Sequence, residues 1–183
     1  NQPSAKEKVK IFVQSFRVLG GLLTAFALLN EHLVKPVAKL SRPSHSYMVS
    51  HTSSSTNMDS VYALEPWERE AFFQGLIDTD STSFKSIDKR ILDHWVEESG
   101  YSFPSGHSFN AFLLAGILSF SAYRLTGKKA WLLSIIPLLW AALVGLSRVA
   151  LGAHTPLDVS VGAGVGLLLS HILLGFSTTR NLL

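Results

Sequence analysis

Apolar residues are concentrated in four long segments, separated by stretches rich in polar and charged residues. The four segments are residues 11–34, 108–125, 130–147 and 159–176. A helix that crosses a bilayer needs about 20 residues, in a range of roughly 17–25, and each segment reaches that length. The last three segments have almost no polar face, unlike the helices of a soluble bundle. The pattern therefore predicts four transmembrane helices.

The composition supports a single membrane-embedded domain over residues 1–183. The charged fraction is 16%, below the roughly 25% of an average soluble domain. The chain has no cysteine, which excludes a disulfide scaffold. Its net charge is only +3, so we expect no nucleic-acid partner. The chain begins with Asn1 rather than Met, and we expect N-terminal elements to precede it in the complete protein.

Basic residues flank the apolar segments at alternate ends, and they predict the topology. Such residues precede the first segment, lie between the second and third, and follow the fourth: Lys6, Lys8, Lys10, Arg124, Lys128, Lys129 and Arg180. Short basic flanks remain in the cytoplasm. Four alternating spans then place residues 35–107 and the turn around residues 148–158 on the outer side.

The long outer connection has its own pattern. Residues 65–77, with Pro66 in the first turn, and residues 85–98, with an apolar stripe, predict two short amphipathic helices. Residues 44–60 are rich in Ser and Thr and indicate an irregular loop, in which we expect His45 to lie at the protein surface or at the membrane interface. We expect residues 44–103 to form a periplasmic insertion that borders the functional site.

Three short motifs lie where the predicted spans meet the outer side. They are Lys35 to Pro43, Pro104 to His107, and Ser147 to Asp158. The basic flanks that predict the topology include none of these residues, yet the topology brings all three motifs to the same side of the membrane. We therefore predict that they form a single site.

The residue types in these motifs suit a phosphate group. Lys35, Arg42 and Arg148 are cations at the edge of the hydrocarbon, where charge is costly and marks either an anion site or ion pairs. The planar fork of arginine matches phosphate. Ser105 and Gly106 open a helix, whose first amides and serine hydroxyl can hold an anion.

Two histidines supply the chemistry of phosphoryl transfer. A neutral imidazole can attack phosphorus, and an imidazolium can protonate the departing oxygen. The residues alone do not decide whether His154 or His107 is the nucleophile. Asp158 follows His154 by four positions and can hold one ring nitrogen, although it also fits an ordinary helix start after Thr155. No carboxylate cluster suggests a metal site. The cations can neutralise the transition-state charge that a metal would otherwise stabilise.

Together the motifs resemble the type-2 phosphatidic acid phosphatase superfamily. Its pattern is K-x6-R-P, P-S-G-H and S-R-x5-H-x3-D, and every defining position is filled between about residues 30 and 175. The resemblance implies an all-α, polytopic membrane bundle of six helices with short periplasmic helices. Since four spans are visible here, we expect that two N-terminal spans are absent from this chain.

The resemblance also implies a role for each motif residue. His154 is the nucleophile that forms a phosphohistidine, Asp158 orients it, and His107 protonates the leaving group. The phosphate-binding residues are Lys35, Arg42, Ser105, Gly106 and Arg148. Members of the superfamily need no metal, so no cofactor is expected.

Residues 59–70 and 93–108 look like one bacterial branch of the superfamily. That branch removes phosphate from phosphatidylglycerophosphate and undecaprenyl diphosphate at the inner membrane. The resemblance therefore implies a multi-pass bacterial enzyme with a periplasmic active site and membrane-lipid substrates. The alternatives are a lipid A or other lipid-phosphate phosphatase, a glucose-6-phosphatase, a vanadate-dependent haloperoxidase, which the apolar spans disfavour, and a non-catalytic lipid transporter on the same scaffold.

Overall fold

The computed structural model describes residues 4–52, 56–98, 100–126 and 131–179, and its regular elements are helices. The four long helices are α1 (Ala5–Leu29), α8 (Gly106–Thr126), α9 (Trp131–Ala150) and α10 (Pro156–Thr179). A π-helical turn (Asn30–Val34) and α2 (Lys35–Ala38) continue α1. The shorter helices are α3 (Pro43–Ser50), α4 (Met58–Tyr62), α5 (Pro66–Thr79), α6 (Ser81–Phe84) and α7 (Lys89–Glu97). The all-α prediction is confirmed.

Helix α8 is the centre of the bundle and packs against both α9 and α10. The interfaces include small residues: Ala111, Ala115 and Ala141 are buried, beside larger side chains such as Phe109 and Leu113. A methyl group on Gly166 of α10 would collide with backbone atoms of α8, and one on Gly162 with the backbone of Ser105 just before α8. Such close backbone contact is how helices associate in a bilayer, where apolar side chains gain little by leaving lipid.

Three described helical stretches are long and apolar enough to cross a membrane: Arg17–Ala38, Leu132–Ala150 and Pro156–Gly175. They correspond to the first, third and fourth predicted spans, and the chain is a multi-pass membrane protein. Helix α8 is not among the three, because polar residues such as His107 and Asn110 lie in its first turns. The second span therefore stays a prediction. Lys128, Lys129 and Arg180, which entered the topology argument, lie outside the described residues.

The described residues between 43 and 97, namely 43–52 and 56–97, form a cap of short helices beside the end of the bundle where the three motifs lie. The apolar core of the cap is made of large side chains: Met48, Val61, Phe73, Phe84, Leu92 and Trp95. The predicted helix at 65–77 is present as α5, which begins with a capping box between Glu65 and Glu68. The helix predicted at 85–98 is present as α7, but it begins only at Lys89 because Asp88 caps it.

The prediction of an irregular loop over residues 44–60 is wrong at both ends. Helix α3 begins at Pro43, whose fixed φ suits a first helical position. Helix α4 follows Asn57, whose side chain accepts the Asp59 amide at 2.9 Å. His45, expected at the surface, is fully buried in the cap. Packing against the cap core outweighs the low helix propensity of this serine-rich stretch.

Candidate active site

A cavity of about 290 Å³ lies at the end of the bundle under the cap. It brings together residues of all three motifs, namely Lys35, Arg42, Gly106, His107 and His154. Its other lining residues are Phe26, Ala27, Asn30, Glu31, Glu98 and Asn110. Ser105, Arg148 and Asp158 lie behind this lining. A larger cavity of about 380 Å³ lies between the opposite halves of α8, α9 and α10, and its lining includes no motif residue.

The first motif is positioned by a sharp change in helix geometry. The π-helical turn and α2 continue α1, and Lys39 then ends the helix in a left-handed conformation with φ of 49°. Lys35, the first residue of α2, is buried, and its Nζ lies 2.6 Å from the carboxylate of Glu31. Asn30, at the start of the turn, donates from Nδ2 to the carbonyl of Pro104 at 3.3 Å and so ties the first motif to the second.

Arg42 is the most constrained cation of the site, with only 3% of its surface exposed. Its guanidinium donates to the carbonyls of Gly100 and Ala153, both at 3.1 Å. Its Nη2 lies 2.9 Å from a carboxylate oxygen of Glu98. Burial lowers the pKa of Arg42, and the nearby Glu98 carboxylate opposes that shift. These contacts hold the guanidinium in one orientation, with Nη1 3.5 Å from Nε2 of His154.

His154 lies in the short connection between α9 and α10. Its amide and that of Ala153 donate to the carbonyl of Arg148 at 3.2 and 3.1 Å, which closes the end of α9. Its Nδ1 faces Oδ2 of Asp158 at 3.7 Å, longer than a hydrogen bond of about 3 Å. The imidazole therefore presents Nε2 to Arg42 and Nδ1 to a carboxylate.

Asp158 has the capping role that its sequence position suggested, and its carboxylate also faces His154. Its carboxylate accepts the Thr155 amide at 2.8 Å, and its own amide donates to the Thr155 hydroxyl at 3.2 Å. This reciprocal pair caps the start of α10. The same Oδ2 atom faces His154. The cap therefore fixes the carboxylate beside the imidazole, so the structural role and the predicted catalytic role are compatible.

In the second motif, Ser105 is fully buried and acts as the N-cap of α8. Its hydroxyl accepts the amide of Ser108 at 3.3 Å and contacts the Ser108 hydroxyl at 3.2 Å. The Ser105 amide donates to the carbonyl of Asp158 at 3.0 Å, which joins the second and third motifs. Gly106 and His107 follow at the helix start and line the cavity. A phosphate-binding role for the Ser105 hydroxyl stays a prediction.

The acidic residues of the site, Glu31 and Glu98, were not predicted from the sequence. Glu98 lies near three basic side chains: Arg42 at 2.9 Å, His94 at 3.3 Å and Arg148 at 4.0 Å. Glu31 neutralises Lys35. The sequence left open whether the cations mark an anion site or ion pairs, and the structure contains ion pairs. Any bound anion must therefore compete with these carboxylates. The Glu31–Lys35 pair could have been found from its i,i+4 spacing.

No group of three or more His, Asp and Glu residues is arranged to hold a metal ion in the part of the chain that the structure describes. The expectation that the site works without a metal stays a prediction.

The sequence matches a known protein family and several named proteins. Residues 16–182 match the PAP2 superfamily model. The chain is 36% identical over 101 residues to phosphatidylglycerophosphatase B of Bacillus subtilis, covering 48% of this chain and 50% of that protein. It is 38% identical over 90 residues to the protein of the same name in Haemophilus influenzae, covering 47% and 36%. It is 37% identical over 79 residues to the bacitracin transport permease protein BcrC of Bacillus licheniformis, covering 43% and 34%.

The chain belongs to the PAP2 superfamily, because the match extends over nearly all of its length. Within that superfamily it is similar to proteins named phosphatidylglycerophosphatase B. The chain spans half or less of the length of these relatives.

Proposed function

We propose that this chain carries the active site of a membrane lipid phosphatase, which acts on phosphatidylglycerophosphate, undecaprenyl diphosphate or both. The observation that carries the proposal is the arrangement of His154, with Nε2 3.5 Å from the Arg42 guanidinium and Nδ1 facing Asp158. A ring nitrogen beside a fixed cation is where a phosphorus atom can be attacked. The names of the similar proteins support the substrate class.

In the first step, Nε2 of His154 attacks the terminal phosphorus of the lipid. The new N–P bond forms as the bond between phosphorus and the leaving oxygen breaks. Protonated His107 gives its proton to that oxygen, which departs as an alcohol or, from a diphosphate, as a monophosphate. Asp158 keeps the attacking ring oriented and stabilises its positive charge.

In the second step, water hydrolyses the phosphohistidine. His107, now neutral, takes a proton from the water as its oxygen attacks phosphorus. The N–P bond breaks, its electron pair returns to Nε2 of His154, and inorganic phosphate leaves. The enzyme ends both steps with the protons that it had at the start.

Lys35, Arg42, Ser105, Gly106 and Arg148 are the proposed phosphate-binding residues. Lys35 and Arg42 line the cavity next to His154, whereas Arg148 approaches it through Glu98. A bound phosphate would replace part of the charge that Glu31 and Glu98 now supply to these cations. Cations fixed in this way can stabilise the transition-state charge, so we propose catalysis without a metal or another cofactor.

We further propose that the site opens at the periplasmic face of the bacterial inner membrane. The basic flanks support a cytoplasmic position for the opposite ends of the helices. The lipid tail can stay in the bilayer beside exposed apolar residues such as Leu28, Leu29 and Leu33 near the cavity end of α1. The cap of residues 43–97 then borders the entrance and contacts head groups.

Sidedness can be tested with single cysteines, because the chain has none of its own. Ser81→Cys in the cap and Lys10→Cys before the first span both alter exposed positions. A membrane-impermeant thiol reagent should label the cap cysteine in intact spheroplasts and the other only after lysis. The reverse pattern would place the site in the cytoplasm.

A lipid transporter is the second candidate, favoured by the similarity to a protein named as a bacitracin transport permease. Release of inorganic phosphate separates the two functions. The complete protein in detergent should release phosphate from a panel of phosphatidylglycerophosphate, undecaprenyl diphosphate, lipid A and phosphatidic acid, and the fastest member names the substrate. No release from any member, by a folded protein, would favour the transporter.

A further inference from the structure

A network of hydrogen bonds between buried polar groups crosses the cap and ends at Arg42. The Tyr62 hydroxyl accepts the backbone amide of Arg42 at 3.1 Å and lies 2.9 Å from Nδ1 of His45. The opposite ring nitrogen of His45, Nε2, lies 2.8 Å from the carbonyl of Trp95. Tyr62, His45 and Trp95 are each at most 8% exposed. None of the three lines the cavity, so they contact no substrate there.

The donors and acceptors of this network fit only one arrangement of protons on the neutral imidazole of His45. The Trp95 carbonyl can only accept, so Nε2 of His45 carries the hydrogen. Nδ1 is then an acceptor, and the Tyr62 hydroxyl donates to it. The same hydroxyl oxygen accepts the Arg42 amide. Burial lowers the pKa of His45 to about 4, which keeps the ring neutral at physiological pH.

The hydrogen-bond network continues to the loop that carries His154. The indole nitrogen of Trp95 donates to the carbonyl of Leu151 at 2.6 Å. The amide of Ser44, in the same turn as His45, donates to the carbonyl of Gly152 at 2.9 Å. The cap therefore contacts both sides of the site: the backbone of Arg42 and the backbone just before His154.

We propose that Tyr62, His45 and Trp95 are positioning residues for the phosphate site. Tyr62 and His45 fix the backbone of Arg42, Trp95 fixes the carbonyl of Leu151, and together they hold the guanidinium beside the His154 imidazole. This inference rests on the proposed function, in which Arg42 binds the phosphate that His154 attacks. It adds a role for the cap that is distinct from contact with lipid head groups.

Tyr62→Phe removes the central hydroxyl and leaves the ring. Without it, the Arg42 amide and Nδ1 of His45 lose their partner in a buried environment, which favours a shift of the Arg42 backbone. Tyr101→Phe is the matched control, because it also removes one tyrosine hydroxyl, which donates to Asp59 at 3.0 Å at the cap surface. The aromatic contact between the two tyrosine rings is kept in both variants.

The experiment uses the complete protein in detergent, with inorganic phosphate as a competitive inhibitor and calorimetric probe. We expect Tyr62→Phe to weaken phosphate binding and raise KM about tenfold, as for a lost buried hydrogen bond. Tyr101→Phe should change either value less than twofold. Unfolding temperatures measured on the same samples identify any global loss of structure.

A double-mutant cycle separates positioning from general destabilisation. If Tyr62 acts through Arg42, Tyr62→Phe should have little further effect on phosphate binding in an Arg42→Ala background. Suppose that the wild type is active. An equal loss of phosphate affinity in both backgrounds, or equal effects of Tyr62→Phe and Tyr101→Phe, then overturns the positioning role alone. A folded wild type that neither hydrolyses the lipids nor binds phosphate overturns the proposed function, and the positioning role with it.

Discussion

The bundle and the cap are built in opposite ways. The bundle buries small residues such as Ala115, Ala141 and Gly166 and exposes large ones such as Leu143 and Leu146. The cap buries large aromatic residues, with Phe73, Phe84 and Trp95 in its core. The bundle is suited to lipid, where an exposed leucine costs nothing and close backbone contact supplies the attraction. The cap is suited to water, where burying aromatic surface supplies it.

The candidate site lies where these two kinds of packing meet. Gly106, His107 and His154 come from the ends of bundle helices, whereas Arg42 and Glu98 are held at the edges of the cap. The site therefore depends on both regions at once. The predictions below change one region at a time or act on the site between them.

The largest effect is expected at the site itself. His154→Ala removes the proposed nucleophile and should lower phosphate release by about 10⁴-fold or more, while insertion and folding survive. Asp158→Asn should leave more residual activity, because it disturbs orientation without removing the attacking nitrogen. The measurement is phosphate release from the best lipid of the panel. Comparable turnover by a folded His154→Ala variant would remove this residue from the mechanism.

In the bundle, Gly166→Leu should be strongly damaging. A side chain there meets the backbone of Phe109 and Leu113 on α8 and must separate the two helices. Gly164→Leu is the matched control, because a Cβ at that position meets nothing within 4 Å. We expect a large drop in unfolding temperature and activity for the first variant and little change for the second. Equal tolerance would show that α8 and α10 do not pack in this way.

In the cap, the predicted effect is a loss of stability at acid pH. The folded pKa of His45 is about 4, below its ordinary value of 6.5. The unfolded state therefore binds more protons between these pH values, and stability falls as pH drops through that window. Below pH 4 the free energy of unfolding is lower by about 3 kcal/mol, and above pH 6.5 it is not reduced by this effect.

His45→Gln tests this origin of the pH dependence. The glutamine amide can still donate to the Trp95 carbonyl but does not titrate. The difference in unfolding free energy between wild type and variant should change with pH only between about 4 and 6.5. A difference that is constant over this range would mean that His45 does not titrate on unfolding.

The smallest effect is expected from a chelator. If Lys35, Arg42 and Arg148 supply the charge that stabilises the transition state, activity in excess chelator should stay within about twofold of the untreated enzyme. Stimulation of about tenfold or more by magnesium, reversed by chelation, would show that the charge argument is incomplete.

The two regions also differ in how far their sequences predict them. The apolar segments locate α1, α9 and α10 because a lipid-exposed helix is apolar on nearly every face. The motifs could be placed at one end because each lies at the end of an apolar segment. The cap gave a weaker signal, since residues 44–60 are serine-rich and their helices depend on tertiary packing.

Individual side-chain contacts between residues distant in sequence could not be predicted. Glu98 pairs with Arg42 across 56 positions, and the burial of His45 depends on Tyr62 and Trp95, which no local pattern links to it. The predicted roles of His154 and Asp158 came from motif spacing and resemblance. Their separation of 3.7 Å is a property of the fold that spacing alone does not determine.

The most direct test is to trap the intermediate on His154. The complete protein is mixed with phosphatidylglycerophosphate that carries ³²P in its terminal phosphate, and the reaction is stopped in alkali within the first turnover. Our account predicts protein-bound label that survives alkali, is lost in acid and maps to His154, and that is absent from His154→Ala. Turnover of the same substrate with no such label, or with the label on His107, would contradict it.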